Sequence, residues 1–194
     1  MISKPKYYSR QGLWSLFLMC AFPLHLWALI LFFNDYAWIA KRTNAWDAIG
    51  VGSYGLVFAL VESTLVFLGA VLLGFFVSTK WEQNRRLALM SVLVLVTSLW
   101  AMIGQLYFLS HLSISLPVPL TLFLLRSGHP VRYLNLLAAI IIGLTVLAPA
   151  FFILKSQKTL HFVMDSIERI SLLTIFYLFF DFIGLIIIII RNVG

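Results

Sequence analysis

The sequence predicts an all-α integral membrane protein, a polytopic bundle of five transmembrane helices. Three observations predict it. Hydrophobic residues make up 62% of the 194 positions. Charged residues make up only 11%, too few to cover a water-facing surface. Five apolar stretches reach the ~20 residues that a helix needs to cross the hydrocarbon core of a bilayer. A chain of this length forms a single domain.

The first span covers residues 11–33, after the cations Lys4, Lys6 and Arg10. A signal peptide shares that arrangement. This apolar run is longer than a signal core, and bulky Phe32-Phe33-Asn34-Asp35 stands where small residues would mark cleavage, so the helix is expected to be retained. The second span, 49–77, is long enough to require tilt or a protruding end. The third, fourth and fifth cover 87–109, 133–154 and 170–190. Pro23 and Pro149 fall inside spans one and four, where each frees a carbonyl.

Residues 112–125 form a shorter apolar stretch. Pro117 and Pro119 prevent a regular helix through its first half. Its length suits a sixth, re-entrant or interfacial segment rather than a full span. The connection 34–48 carries Tyr36, Trp38 and Trp46, rings that settle at the headgroup level. With Lys41, Arg42 and Asp47 it reads as an aromatic anchor or a short helix lying on the membrane. Residues 156–168 read as a second surface helix.

The net charge of +7 reports orientation. With the N-terminus in the cytoplasm, the inner side holds Lys4, Lys6, Arg10, Lys80, Arg85, Arg86, Lys155, Lys158 and Arg169. The outer side holds Lys41, Arg42, Arg126, Arg132 and Arg191. The excess inside favours N-in and C-out. Size and short loops suggest a bacterial-type inner membrane. No run of cations interleaved with aromatics forms a nucleic-acid surface, so the lipid bilayer is the expected partner. Cys20, the single cysteine, leaves no intrachain disulfide and reads as a small buried hydrophobe.

The strongest functional signal is a pair of acids within spans, Glu62 and Asp181, with His25 at similar depth. A charge at the bilayer centre costs at least ~2.5–3.5 kcal/mol, so such groups face the bundle or a wet cavity. Counting inward from the outer ends places all three within about two helical turns. Gly55, Ala59, Glu62, Val66 and Gly69 share a face of the second span, which predicts that Glu62 points into a tight helix contact. Thr174, Tyr177, Asp181 and Gly184 form a polar-and-small stripe on the fifth. Thr97, Ser98 and Gln105, and Asn135 and Thr145, are available on the third and fourth. No span contains Lys or Arg to neutralise the acids. The cluster therefore reads as a proton or cation site, as protonated packing glue between helices, or as a contact with a partner subunit.

A second signal has an enzyme's look. Ser127-Gly128-His129, and Lys155 followed by His161 and Asp165, resemble two elements of the phosphatidic-acid phosphatase family. The resemblance covers fewer than about twenty residues. It implies one histidine attacking phosphate while the other, held by Asp165, protonates the leaving group. The family's remaining element, Lys-x6-Arg-Pro, is not matched at Lys80 and Arg86, and Arg126 replaces the proline before Ser127. The two matching pieces flank the fourth span, which predicts them about 30 Å apart on opposite membrane faces.

No catalytic, cofactor or metal residues are assigned. The histidines have no partner at i+3 or i+4 for a helical metal or haem pair. The leading expectation is a non-catalytic membrane component: a subunit, scaffold or assembly factor, with a protein partner or a second copy of itself. The alternative is a small transporter or channel with a proton or cation site at Glu62 and Asp181. A lipid-modifying enzyme ranks third.

Overall fold

The structure, a computed structural model, describes residues 9–77, 81–109 and 117–193. Six helices make up the described fold: α1 (Arg10–Arg42), α2 (Ala45–Gly74), α3 (Gln83–Leu109), α4 (Val118–Arg126), α5 (Pro130–Lys155) and α6 (Gln157–Val193). All except α4 are long and apolar enough to cross a membrane. The fold is an all-α helical membrane bundle.

Local chemistry sets the helix ends. The Ser9 hydroxyl accepts from the Gly12 N–H at 3.0 Å and starts α1. At the far end the N–H and hydroxyl of Thr43 both donate to the Ile39 carbonyl. Asn44 then caps α2 by accepting from the Asp47 N–H at 2.8 Å. Only Thr43 and Asn44 separate the two helices, so α1 and α2 form a tight antiparallel hairpin. Ser156 alone separates α5 from α6.

These ends correct two expectations. The connection 34–48 is neither a loop nor a separate surface helix, because α1 runs unbroken to Arg42. The stretch 156–168 is not a separate surface helix, because it forms the first turns of the 37-residue α6. Both stretches carry charged residues, and water does not interrupt a helix whose backbone bonds are already made. Residues 112–116 lie outside the described residues. The remainder of the 112–125 stretch belongs to the nine-residue α4, far too short for a span. Pro117 caps it and Pro119 sits in its first turn, where a missing N–H costs nothing.

The bundle is arranged around α1, which packs against α2, α3 and α6. Leu16 and Cys20 of α1 pack with Ala70 of α2 and Leu87, Met90 and Val94 of α3 in the main core. Ala88, Ile153 and Leu160 join α3, α5 and α6 in a second cluster. Helix α5 is peripheral, and Ile153 is its one buried residue among those described. Among the described elements, helix α4 packs only against α5.

Large apolar side chains cover the outside. Phe58, Leu65 and Leu72 of α2, Phe151 of α5, and Phe176 and Phe182 of α6 are all exposed. In lipid that surface has no reason to hide, so close helix packing rather than water exclusion holds the bundle. The contact of α2 with α6 shows it. A β-carbon added at Gly184 would lie 3.4 Å from the Ser53 backbone. The Ser53 and Thr174 hydroxyls donate to carbonyls of their own helices, which lets both be buried without another partner.

Two polar clamps fasten the ends. Arg191 of α6 donates to the Trp46 carbonyl at 2.6 Å and to Asp47 at 2.8 Å. Gly50 leaves room for its guanidinium. At the opposite end Arg85 of α3 donates to the Leu154 carbonyl at 2.7 Å and to Gln157 at 3.0 Å, closing the α5–α6 turn.

Replacing Gly184 with Leu should force α2 and α6 apart and destabilise the bundle by about 1–3 kcal/mol. Gly69→Leu, on a face with nothing within 4 Å of an added β-carbon, should be close to neutral. Thermal unfolding in detergent checks the contrast.

Candidate functional site

His25 of α1 and Asp181 of α6 meet in the middle of the bundle. His25 Nε2 lies 2.8 Å from Asp181 Oδ2. The two side chains are 0% and 2% exposed. His25 Nδ1 lies 2.8 Å from the Ala21 carbonyl. A carbonyl only accepts, so Nδ1 carries a hydrogen and donates it. One further proton then lies between Nε2 and Oδ2. The pair is electrically neutral whichever of the two atoms holds it, which suits a site sealed from water.

Neighbouring groups fix the pair in place. The Tyr177 ring stacks on the imidazole, with centroids 5.8 Å apart and planes 9° from parallel. Phe22, one turn before His25, stacks on the same tyrosine at 6.2 Å. The inward stripe of α6 thus comprises Thr174, Tyr177, Asp181 and Gly184. Asp181 Oδ1 is buried and has no hydrogen-bond partner among the described residues.

Glu62 is not part of this pair. It is half-buried, and among the described residues it has no hydrogen-bond or ion-pair partner. Its side chain lines a cavity of about 700 Å³ between α1 and α2. The groove runs from Asp35 and Ile39, toward the α1–α2 turn, to Glu62 and Gln105 deeper in the bundle. Trp27, Phe32, Val51, Leu56 and Phe58 make most of its wall apolar. Asp35 accepts from the neighbouring Asn34 amide at 3.1 Å.

Register and rotation explain the separation. Gly184 lies against Ser53. From that level Asp181 is about one turn deeper along α6, whereas Glu62 is about two and a half turns deeper along α2, a difference of ~9 Å. Rotation adds to it. Ser63 is fully buried, and successive residues are turned by about 100° around a helix, so Glu62 faces aside.

The structure corrects the tight-contact stripe expected through Gly55, Glu62 and Gly69. Gly55 and Gly69 have nothing within 4 Å of an added β-carbon. The packed face of α2 carries Ser53, Ala59, Ser63 and Ala70 instead. Small residues occupy two adjacent faces of α2, and spacing alone does not tell them apart. By sequence Gln105 is only one of several available polar groups, and Asp35 reads as a loop residue. Their shared groove has no signature in sequence, because its apolar wall reads like any lipid-facing stripe.

The phosphatase-like elements are not brought together. Ser127, Gly128 and His129 precede α5, while His161 and Asp165 lie on α6 beyond its other end. The 26 residues of α5 separate them by about 39 Å. Two histidines that share one phosphate must lie within a few ångströms of it. Among the described residues, no three His, Cys, Asp or Glu side chains gather to hold a metal ion. No protein-family model, curated protein or solved structure matches the chain.

Removing one member of the buried pair strands the other. His25→Leu and Asp181→Leu should each cost about 1–3 kcal/mol. The double variant should cost less than the sum of the two, because it leaves no unpaired polar group. A double-mutant cycle on thermal unfolding in detergent measures this coupling.

Proposed function

We propose that the protein is a small membrane transporter in which Glu62 receives a cation through the groove between α1 and α2. The observation that carries this reading is a carboxyl within a span that has no partner among the described residues and lines a large cavity. An acid at that depth requires a proton or a cation beside it. His25 and Asp181 are paired through Nε2 and Oδ2, and their role in this reading is to hold α1 against α6 while the groove works.

The orientation belongs to the same proposal. The cation excess at the end carrying the start of α1 and the α5–α6 turn supports an N-terminus in the cytoplasm. The groove then opens toward the outer leaflet of an inner membrane, and Glu62 lies near the midplane.

A second reading has its own observation. Leu136, Ile140, Leu144 and Leu147 of α5 are exposed, and among the described elements α4 is held only by α5. A partner or a second copy seated on this face would make the protein a subunit of a larger membrane complex. Cysteines placed at Leu136 and Leu144 should then give crosslinks in native membranes, and an absence of crosslinks rules this reading out.

Transport is tested in proteoliposomes on a solid-supported membrane, with a panel of inorganic and organic cations. At least one cation should give a saturable current. Glu62→Gln should lower it about tenfold or more, as expected when a charge-assisted contact is lost. Asp165→Asn, an exposed change of equal charge on α6, should leave it intact. Currents that are absent throughout, or the same in wild type and Glu62→Gln, overturn the proposal.

A further inference from the structure

Resting on the transport reading of the same groove, we infer that its occupant is a lipophilic organic cation, an ammonium- or phosphonium-type centre on an apolar body, rather than a bare ion or a lipid tail. Three features of the groove carry this inference.

The first is size. A cavity of about 700 Å³ falls within the ~300–1,000 Å³ of drug-sized ligand sites and is far larger than one ion needs. The second is the wall. A bare alkali or divalent ion needs several oxygen ligands close together. Here Glu62 and the Gln105 amide are the polar side chains at the deep end, and apolar groups surround them. An apolar body gains contact with Leu24, Val51 and Leu56, while a metal ion gains none. The third is charge. The lining includes Glu62 and Asp35 but no Lys or Arg. A neutral acyl chain would fill the space and leave the Glu62 carboxyl unanswered in hydrocarbon. A cationic centre answers it. The rings of Trp27, Phe32 and Phe58 add faces that attract a desolvated cation.

The geometry also explains the placement of the two acids. Asp35 is exposed at the mouth and Glu62 is half-buried inside. A cation arriving at the headgroup layer meets Asp35 first and Glu62 last. Between them Gly52 and Gly55 keep the α2 side of the groove low, and an added β-carbon at Gly55 meets nothing within 4 Å.

The test uses the full chain in lipid nanodiscs and tetraphenylphosphonium as the probe. Triphenylphosphine oxide serves as an uncharged analogue and rubidium as a bare ion. Equilibrium dialysis should show saturable binding of tetraphenylphosphonium, with neither of the other two competing. Glu62→Gln should weaken it about tenfold or more. Gly55→Phe should block it by filling the groove while leaving the melting temperature within a few degrees of wild type, which separates occlusion from misfolding.

Equal binding to wild type and both variants would mean partition into lipid and would overturn the inference. So would competition by the uncharged analogue, which would point to an acyl-chain groove. A Glu62-dependent current carried by protons or rubidium without phosphonium binding would sink the inference and leave the transport reading standing. Glu62-dependent phosphonium binding without any current would sink the transport reading and leave the site.

Discussion

Hydrocarbon neither donates nor accepts a hydrogen bond, so each polar group within the bundle must be answered by protein or by something the protein binds. The helices follow from that constraint, because they satisfy their own backbones. It also decides which side chains can sit where. Ser53, Ser63 and Thr174 turn their hydroxyls onto carbonyls one turn back and then behave as small packing residues. His25 and Asp181 have no such local escape for their full hydrogen-bonding capacity, and they close on each other across two helices. Glu62 is a carboxyl with neither oxygen answered among the described residues, and it opens on a cavity, which is why the functional reading centres on it.

The same constraint ranks the helices. Helix α1 carries the imidazole that answers Asp181, holds more buried residues than any other helix, and contacts three neighbours. Helix α5 has no acid and little buried surface. Its hold on the bundle is a cluster at Ile153, the Trp100 indole donating to Thr145, and the Arg85 clamp on the Leu154 carbonyl. Cohesion is thus concentrated among α1, α2, α3 and α6, and the periphery is attached at a few points.

The spans were legible because length and apolarity are the whole requirement for crossing a bilayer, and both are written in consecutive residues. Helix ends were less legible. Asn34–Asp35 after Phe33 has the look of a loop, yet the stop is Thr43 and Asn44, a capping signal that lay further along the chain. The depth of His25 and Asp181 was readable, because residues within spans can be counted from either end. The direction in which Glu62 points was not. Gly55, Ala59, Ser63 and Ala70 offer two competing faces, and the choice between them is made by α1 and α6, which local spacing does not encode. The groove was hidden for the same reason: leucine and phenylalanine beside lipid and beside a cavity are the same letters.

Helix α6 is about 55 Å long, whereas the hydrocarbon it crosses is about 30 Å thick. Its surplus falls largely before Arg169, where Leu160 and Ile167 are buried against the bundle while Lys158 and Glu168 stay exposed. Those charges resist immersion, and Arg191 resists it at the opposite end. Together they act like the load lines on a hull. A thicker bilayer cannot draw the assembly inward, and a thinner one must deform around it. The elevation of the Glu62 groove relative to the two water boundaries is thereby set by the protein, not by the membrane that happens to surround it.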